Sequence, residues 1–323
     1  PRHMRLFRYV SHRGGFQPRL AVAVDGGQPI DLIDAWRRET GTRLDWDESG
    51  FLVSFVSLIE DGPEVWSEVR GVVHAAGHDD EMKVGDQTPG LRWLCPLERM
   101  SSLRDFLAFE DHVKRGAARR NTSVPDYWYE APVYYKGNHR AVIGPDEECR
   151  WPSYSNRLDF ELELGMIVGK RGRNISATDA HRYVFGFTIL NDFSARDVQS
   201  KEMSAWLGPA KGKDFCNALG PCIITADEVG AEPDLEMICR VNGEEWGRGR
   251  SSDAHWRWAD MISHVSTGED VWPGDVYGSG TPGGCCGLDN DRELDPGDVV
   301  ELEIERIGIL RNVIGPRPAL TPA

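Results

Sequence analysis

Leu158-Asp159-Phe160-Glu161-Leu162-Glu163-Leu164-Gly165 alternates acidic and apolar residues with a period of two. That period belongs to a β-strand, where successive side chains leave on opposite faces. Glu161 and Glu163 then share one face, about 7 Å apart along the strand, while Leu162 and Leu164 take the other. Two carboxylates so placed can converge on one hard cation. A solvated acidic face would produce the same alternation. The chain supplies its own comparison in Val300-Glu301-Leu302-Glu303-Ile304-Glu305, which follows the turn Asp295-Pro296-Gly297-Asp298 and has no reactive neighbours in sequence.

The first run has such neighbours. Downstream lies Thr188-Ile189-Leu190-Asn191-Asp192-Phe193-Ser194-Ala195-Arg196-Asp197-Val198-Gln199. An apolar strand there runs into Asp192, a carboxylate well placed as a further metal ligand. A helix is expected to follow, and Arg196 and Gln199, three apart, would share its face. An Arg and an amide beside a metal can hold a developing oxyanion. The plainer reading makes Asp192 or Ser194 a helix cap.

Further strand signals are Tyr183 to Leu190, Ile223-Ile224 and Leu235 to Val241. Asn242-Gly243 predicts a hairpin turn. Ser252 or Asp253 would cap a helix from Ala254 to Val265. Near the beginning, Arg5 to Val10, Leu20 to Val24 and Ile30 to Ile33 read as short strands, and Trp36 to Glu39 and Phe51 to Glu60 as helices. Ser102 to Arg120 is rich in charge and free of breakers until Gly116, which predicts a helix. On it, Asp105 and His112 would lie nearly two turns apart, about 10 Å, on one face. Strands outnumber helices, which points to a mixed, β-rich α+β fold rather than a doubly wound sheet. The dinucleotide-binding fingerprint is absent. So is the phosphate-binding loop, because Lys213 is followed by Asp214 where Ser or Thr would hold Mg²⁺.

Asp105-x6-His112, Glu161-x-Glu163, Asn191-Asp192-Phe193-Ser194-Ala195-Arg196-Asp197-x-Gln199, Gly212-Lys213 and Ser279-Gly280-Thr281-Pro282 stand in the order found in the fumarylacetoacetate hydrolase family, which this chain resembles. The resemblance implies a fumarylacetoacetate hydrolase-like β-roll domain over residues 98–323, a small β-rich amino-terminal domain over 1–97, and a homodimer. It implies Mg²⁺ or Ca²⁺, with Mn²⁺ as an alternative, held by Asp105, Glu161, Glu163 and Asp192. A ligand set of oxygens alone suits such hard cations. The implied reaction is hydrolysis of a carbon–carbon bond in a small anionic 2,4-diketo acid, an acylpyruvate or a fumarylacetoacetate-like product of aromatic catabolism. His112 would activate water. Arg196, Gln199 and Lys213 would stabilise the oxyanion and the carbanion leaving group. Tyr135 and Thr281 match substrate-binding positions.

Three positions depart from the family pattern. Leu107 replaces a substrate-binding Tyr, and Asn217 replaces a Thr after the Lys. The acid that orients His112 falls in a segment that is shorter here, leaving Asp289 or Glu110 for the task. A different distal substrate arm is therefore expected. A decarboxylase, or an isomerase or tautomerase of a related 2-oxo acid, would use the same enolate chemistry. A non-catalytic, ligand-binding descendant is the alternative outside enzymes.

Composition narrows the partners. With 37 Lys and Arg against 52 Asp and Glu in 323 residues, the net charge is −15. So acidic a chain repels a phosphate backbone, which argues against nucleic acid. No stretch reaches the roughly 18 apolar residues of a membrane span. Seven cysteines without a Cys-x-x-Cys pair read as reduced thiols of a cytoplasmic protein. Replacing both Glu301 and Glu303 by Gln is expected to leave metal content and turnover nearly unchanged. Loss of bound metal from that variant, by elemental analysis, would assign the ligands to the wrong Glu-x-Glu pair.

Overall fold

The structure is a computed structural model that describes residues 3–41 and 50–319. Two sheets carry most of it. The larger has eleven strands among the described residues. Its main path runs Ile30–Asp31, Arg19–Val24, Met4–Val10, Asn217–Thr225, Val184–Asn191, Leu162–Val168, Val276–Gly278, Leu103–Phe106, Tyr134–Lys136. The smaller has five, in the order Glu244–Arg250, Glu236–Val241, Val299–Ile304, Gly308–Ile314, Glu148–Cys149.

The alternation in the sequence explains how the sheets pack. Leu162, Leu164 and Met166 share a core with Phe187 and Ile189 and with Met237, Cys239, Val300, Leu302 and Ile304 of the smaller sheet. On the opposite face, Ile167, Leu190, Leu219, Ile223 and Val276 pack in a second core with the amino-terminal strands and helices. Every residue of Leu162–Val168 is therefore buried, Glu163 among them. Glu301 and Glu303, by contrast, are half-buried on a strand whose Val300, Leu302 and Ile304 face the core. Glu303 accepts a hydrogen bond from Arg240 at 2.6 Å.

The hairpin at Asn242-Gly243 forms as expected, both residues having positive φ. The helix expected over Ala254 to Val265 begins later, at Trp258, and runs to Ser266. Among the described amino-terminal residues there are four strands and four helices, one of them Pro63–Ala76, which the sequence reading did not find. They are tied to the rest through Met4–Val10, which pairs with Asn217–Thr225.

One expectation is corrected. Ser102 to Arg120 is not a single helix. Leu103–Phe106 is a strand, all four residues buried, pairing with Val276–Gly278 and Tyr134–Lys136. The helix begins only at Glu110 and ends at Arg119. Two strand partners satisfy the backbone of 103–106 and bury its side chains, which outweighs local helix propensity.

Close strand approach at Gly186 is a further constraint. A Cβ there would sit 2.1 Å from the carbonyl oxygen of Ile224. Gly186→Ala is expected to force the two central strands apart and to cost about 1–3 kcal/mol, read as a lowered midpoint in thermal or denaturant unfolding. An unchanged midpoint would mean that this contact relaxes freely.

Candidate metal centre and active site

The sheet order brings the acids together. Glu161 and Glu163 flank Leu162 on the strand and its lead-in. Asp105 lies two strands away on Leu103–Phe106, in register with Gly278. Gly278 in turn faces Gly165. A Cβ on Gly278 would come 2.4 Å from Glu163 Oε2 and 2.9 Å from Asp105 Oδ1, so glycine leaves the room that the carboxylates fill. Asp192 follows the end of Val184–Asn191, and its N–H donates to the carbonyl of Glu161 at 3.2 Å. One carboxylate oxygen from each of Asp105, Glu161, Glu163 and Asp192 lies within 4.8 Å of the others. All four residues are buried.

Two cations offset this charge. Lys213 Nζ donates to Glu161 Oε2 at 2.9 Å and to Asp192 Oδ2. Arg196 donates to Glu161 Oε1 at 2.8 Å, to Asp159 Oδ2 at 2.8 Å and to Gln199 Oε1 at 3.0 Å. Burial raises the Glu161 carboxyl, but Lys213 and Arg196 outweigh it and hold the group well below the usual range. Asp105 and Glu163 go the other way. Burial pushes both well up, and the neighbouring carboxylates push further. Burial also raises Asp192, against the opposing pull of Lys213.

Three buried oxygens, Asp105 Oδ1, Glu163 Oε1 and Asp192 Oδ1, have no hydrogen-bond partner. Unpaired buried acceptors are costly and rare, and three of them on neighbouring acids fit a divalent cation. Four oxygen donors without thiol or imidazole suit Mg²⁺, Ca²⁺ or Mn²⁺.

His112, in the first turn of Glu110–Arg119, points its ring at this cluster. Its Nδ1 lies 2.8 Å from Asp289 Oδ2, and its Nε2 lies 4.0 Å from Glu161 Oε1. Asp289 is the acid beside His112. Glu110 binds Tyr129 and Lys114 instead. Burial raises the Asp289 carboxyl, but the His112 hydrogen bond prevails and lowers it.

Tyr135 lies opposite Asp105 in the sheet and donates to Asp192 Oδ2 at 2.8 Å. Thr281 is buried, and its hydroxyl donates to the carbonyl of Cys285 at 3.1 Å. Neither Asp192 nor Ser194 caps the helix Arg196–Ser204, whose N-cap is Ala195 without a side-chain bond. Ser194 instead lies in a two-stranded ladder against Asp159.

The sequence reading missed two supporting acids. Asp159 accepts from Arg196 and from the backbone N–H of Phe160, Gly287 and Leu288. It shares the parity of Glu161 and Glu163, a signal already present in the alternation. Glu202 accepts from the N–H groups of Ala210, Lys211 and Gly212, which anchors the turn carrying Lys213. Nothing in its spacing marks it.

The family model for the fumarylacetoacetate hydrolase carboxyl-terminal domain matches residues 102–315. The chain belongs to the fumarylacetoacetate hydrolase family. Human mitochondrial oxaloacetate tautomerase FAHD2A is 35% identical over 208 residues, 64% of this chain and 63% of that protein. The chain thus spans less than two thirds of the length of this relative. An uncharacterised protein of Methanocaldococcus jannaschii is 34% identical over 209 residues, 80% of its length. Among solved structures, a fumarylacetoacetate hydrolase from Exiguobacterium antarcticum superposes with a TM-score of 0.71 at 25% identity, over 97% of this chain and 100% of that one. The maleylpyruvate hydrolase of Sphingobium sp. SYK-6 shares the fold, with a TM-score of 0.68 at 22% identity over 97% and 99% of the two chains. The family is divalent-metal dependent, in keeping with the buried acids. No described helix is long and apolar enough to cross a membrane.

The raised carboxyls give a signed expectation. Without a cation, Asp105 and Glu163 favour their protonated forms, and a divalent ion must displace those protons. Affinity for Mg²⁺ or Ca²⁺ should therefore rise with pH above the ordinary carboxylate range, with proton release on binding. Calorimetry in two buffers of different ionisation enthalpy checks this, and binding without proton release would contradict it.

Proposed function

We propose that this chain is a divalent-metal-dependent hydrolase that cleaves a carbon–carbon bond in a small, anionic 2,4-diketo acid. The observation that carries the reading is His112, held at Nδ1 by Asp289 with its other nitrogen turned towards the carboxylate cluster. A base so held, beside four acids suited to a hard cation, is the equipment for attack by water on an activated carbonyl.

Asp105, Glu161, Glu163 and Asp192 would hold the cation, which would supply Lewis acidity to the oxygens of an enolised dicarbonyl. With Nδ1–H donating to Asp289, Nε2 is the free acceptor. It takes a proton from water as the hydroxyl adds to the carbonyl carbon. The carbon–carbon bond then breaks, its electron pair leaves with the departing enolate carbon, and that carbon receives the proton from His112. A carbon leaving group needs positive charge close by in a water-poor site. Lys213, buried and charged, supplies it. The Arg196 guanidinium is engaged by Asp159, Glu161 and Gln199, so its part is to orient Gln199. The Gln199 amide N–H groups are then the donors for the oxyanion. Tyr135 and Thr281 bound the substrate, and Leu107 favours an apolar distal arm.

A second reading rests on the human relative, which is named as an oxaloacetate tautomerase. Keto–enol exchange needs the same acids and a proton carrier but no attacking water. An isomerase of a related 2-oxo acid would be served in the same way.

His112→Ala should lower turnover on an acylpyruvate by roughly 10²–10⁴-fold while the metal stays bound. Lys213→Met should lower it as well. Loss of diketone absorbance reports cleavage, and oxaloacetate enol absorbance reports tautomerisation. A parent protein that cleaves no acylpyruvate yet speeds oxaloacetate tautomerisation would replace the first reading by the second. Full turnover in both variants would overturn the mechanism.

A further inference from the structure

Beside the four-carboxylate cluster lies a second group of donors, with a different chemistry. His112, Cys286 and Asp289 each place one ligand atom within 4.8 Å of the other two. Cys286 is fully buried, and Asp289 is 8% exposed. Asp289 Oδ2 receives His112 and the N–H of Gly284 at 3.0 Å, but its Oδ1 is buried without any partner. That unpaired oxygen has no function in the reaction described above.

The turn that carries Cys286 and Asp289 is held in place. Asn290 Nδ2 donates to the carbonyls of Gly284, Cys286 and Trp246. Asp159 accepts the N–H groups of Gly287 and Leu288. Cys286 also forms a β-bridge with Glu161. The donors thus stand together before any ligand arrives, which lowers the cost of ordering them on binding.

We propose that His112, Cys286 and Asp289 form a second metal site, one that takes Zn²⁺ and switches the enzyme off when filled. Imidazole, thiolate and carboxylate are the three donor types that zinc accepts, with water able to complete a tetrahedron. Hard Mg²⁺ or Ca²⁺ prefers the oxygen-only cluster next door, and a thiol discriminates against them. A thiol without a metal is mostly protonated near neutral pH. Zinc binding forms the sulfur–zinc bond and releases that proton to solvent, with no change of oxidation state. Zinc taken at Nδ1, the nitrogen beside Asp289, moves the Nδ1 proton to Nε2, whose lone pair then no longer accepts a proton from water. The binding half of this proposal is independent of the reaction, while the inhibition rests on the hydrolase reading.

Protein saturated with Mg²⁺ is titrated with zinc chloride against a chromophoric zinc chelator. The parent should bind one zinc tightly. Cys286→Ser, which keeps the side-chain volume, should bind it at least about tenfold more weakly, since even outer-shell changes cost metal sites that much. Asp289→Asn should weaken it too. Cobalt(II) added in place of zinc should give the parent a near-ultraviolet thiolate-to-metal absorption that Cys286→Ser lacks. Circular dichroism and melting temperature show whether the variants are folded. Equal zinc affinity in folded parent and Cys286→Ser, with no thiolate band in the parent, would overturn the site. In an acylpyruvate assay, zinc should inhibit the parent and spare Cys286→Ser by a similar factor. A thiolate band lost in Cys286→Ser, from a parent that cleaves no diketo acid, would leave the site standing and remove the hydrolase reading alone.

Discussion

Four carboxylates packed inside one sheet are the constraint around which the molecule is arranged. Negative charges this close, out of water, repel strongly and lose their hydration. Lys213 and Arg196 compensate part of that charge by direct contact. Three oxygens remain unpaired and call for a further cation. Each cation needs its own support in turn. Asp159 holds Arg196, and Glu202 fastens the turn that delivers Lys213. The acids thereby dictate the strand order, the glycine at 278 and the loop anchors.

Burial on both faces makes such a site possible. The smaller sheet covers one side of Leu162–Val168, and the second core, shared with amino-terminal elements, covers the other. Glu163 is fully buried between these layers, which keeps its carboxylate out of bulk water. The amino-terminal residues lie outside the family match, yet their strands extend the sheet that carries the site. Their physical contribution is dryness. Low dielectric strengthens each charge pair, and it raises the cost of each oxygen left unpaired.

Beside this cluster, one turn serves two kinds of contact. Residues 279–290 place Thr281, Cys286 and Asp289 around His112 and the strand carrying Glu161. The turn is held by backbone bonds to Asp159 and Asn290 rather than by a regular element. Its geometry is set by distant partners, so periodicity carried no information about it. The sequence left Asp289 and Glu110 as equal candidates for the His112 partner. Glu110 precedes His112 by only two residues, yet on a helix that spacing turns the two side chains apart, and Asp289 arrives from the other side of the fold.

What the amino-acid sequence determined by itself is local and chemical. Alternation named the run from Leu158 to Gly165 as a strand with acids on one face, Asn-Gly named the hairpin, and the ordered motifs named the family. These follow from side-chain parity and turn stereochemistry, which need only a few neighbouring residues. The tertiary structure decided the rest. Leu103–Phe106 became a strand because two partners bury it, although its own residues suggest a helix. Glu161-x-Glu163 and Glu301-x-Glu303 have the same spacing, but one is buried against Asp105, Asp192 and Lys213, while the other meets solvent and Arg240. Whether a carboxylate is a ligand or a surface charge depends on what is brought against it from far along the chain, and only folding supplies that neighbour.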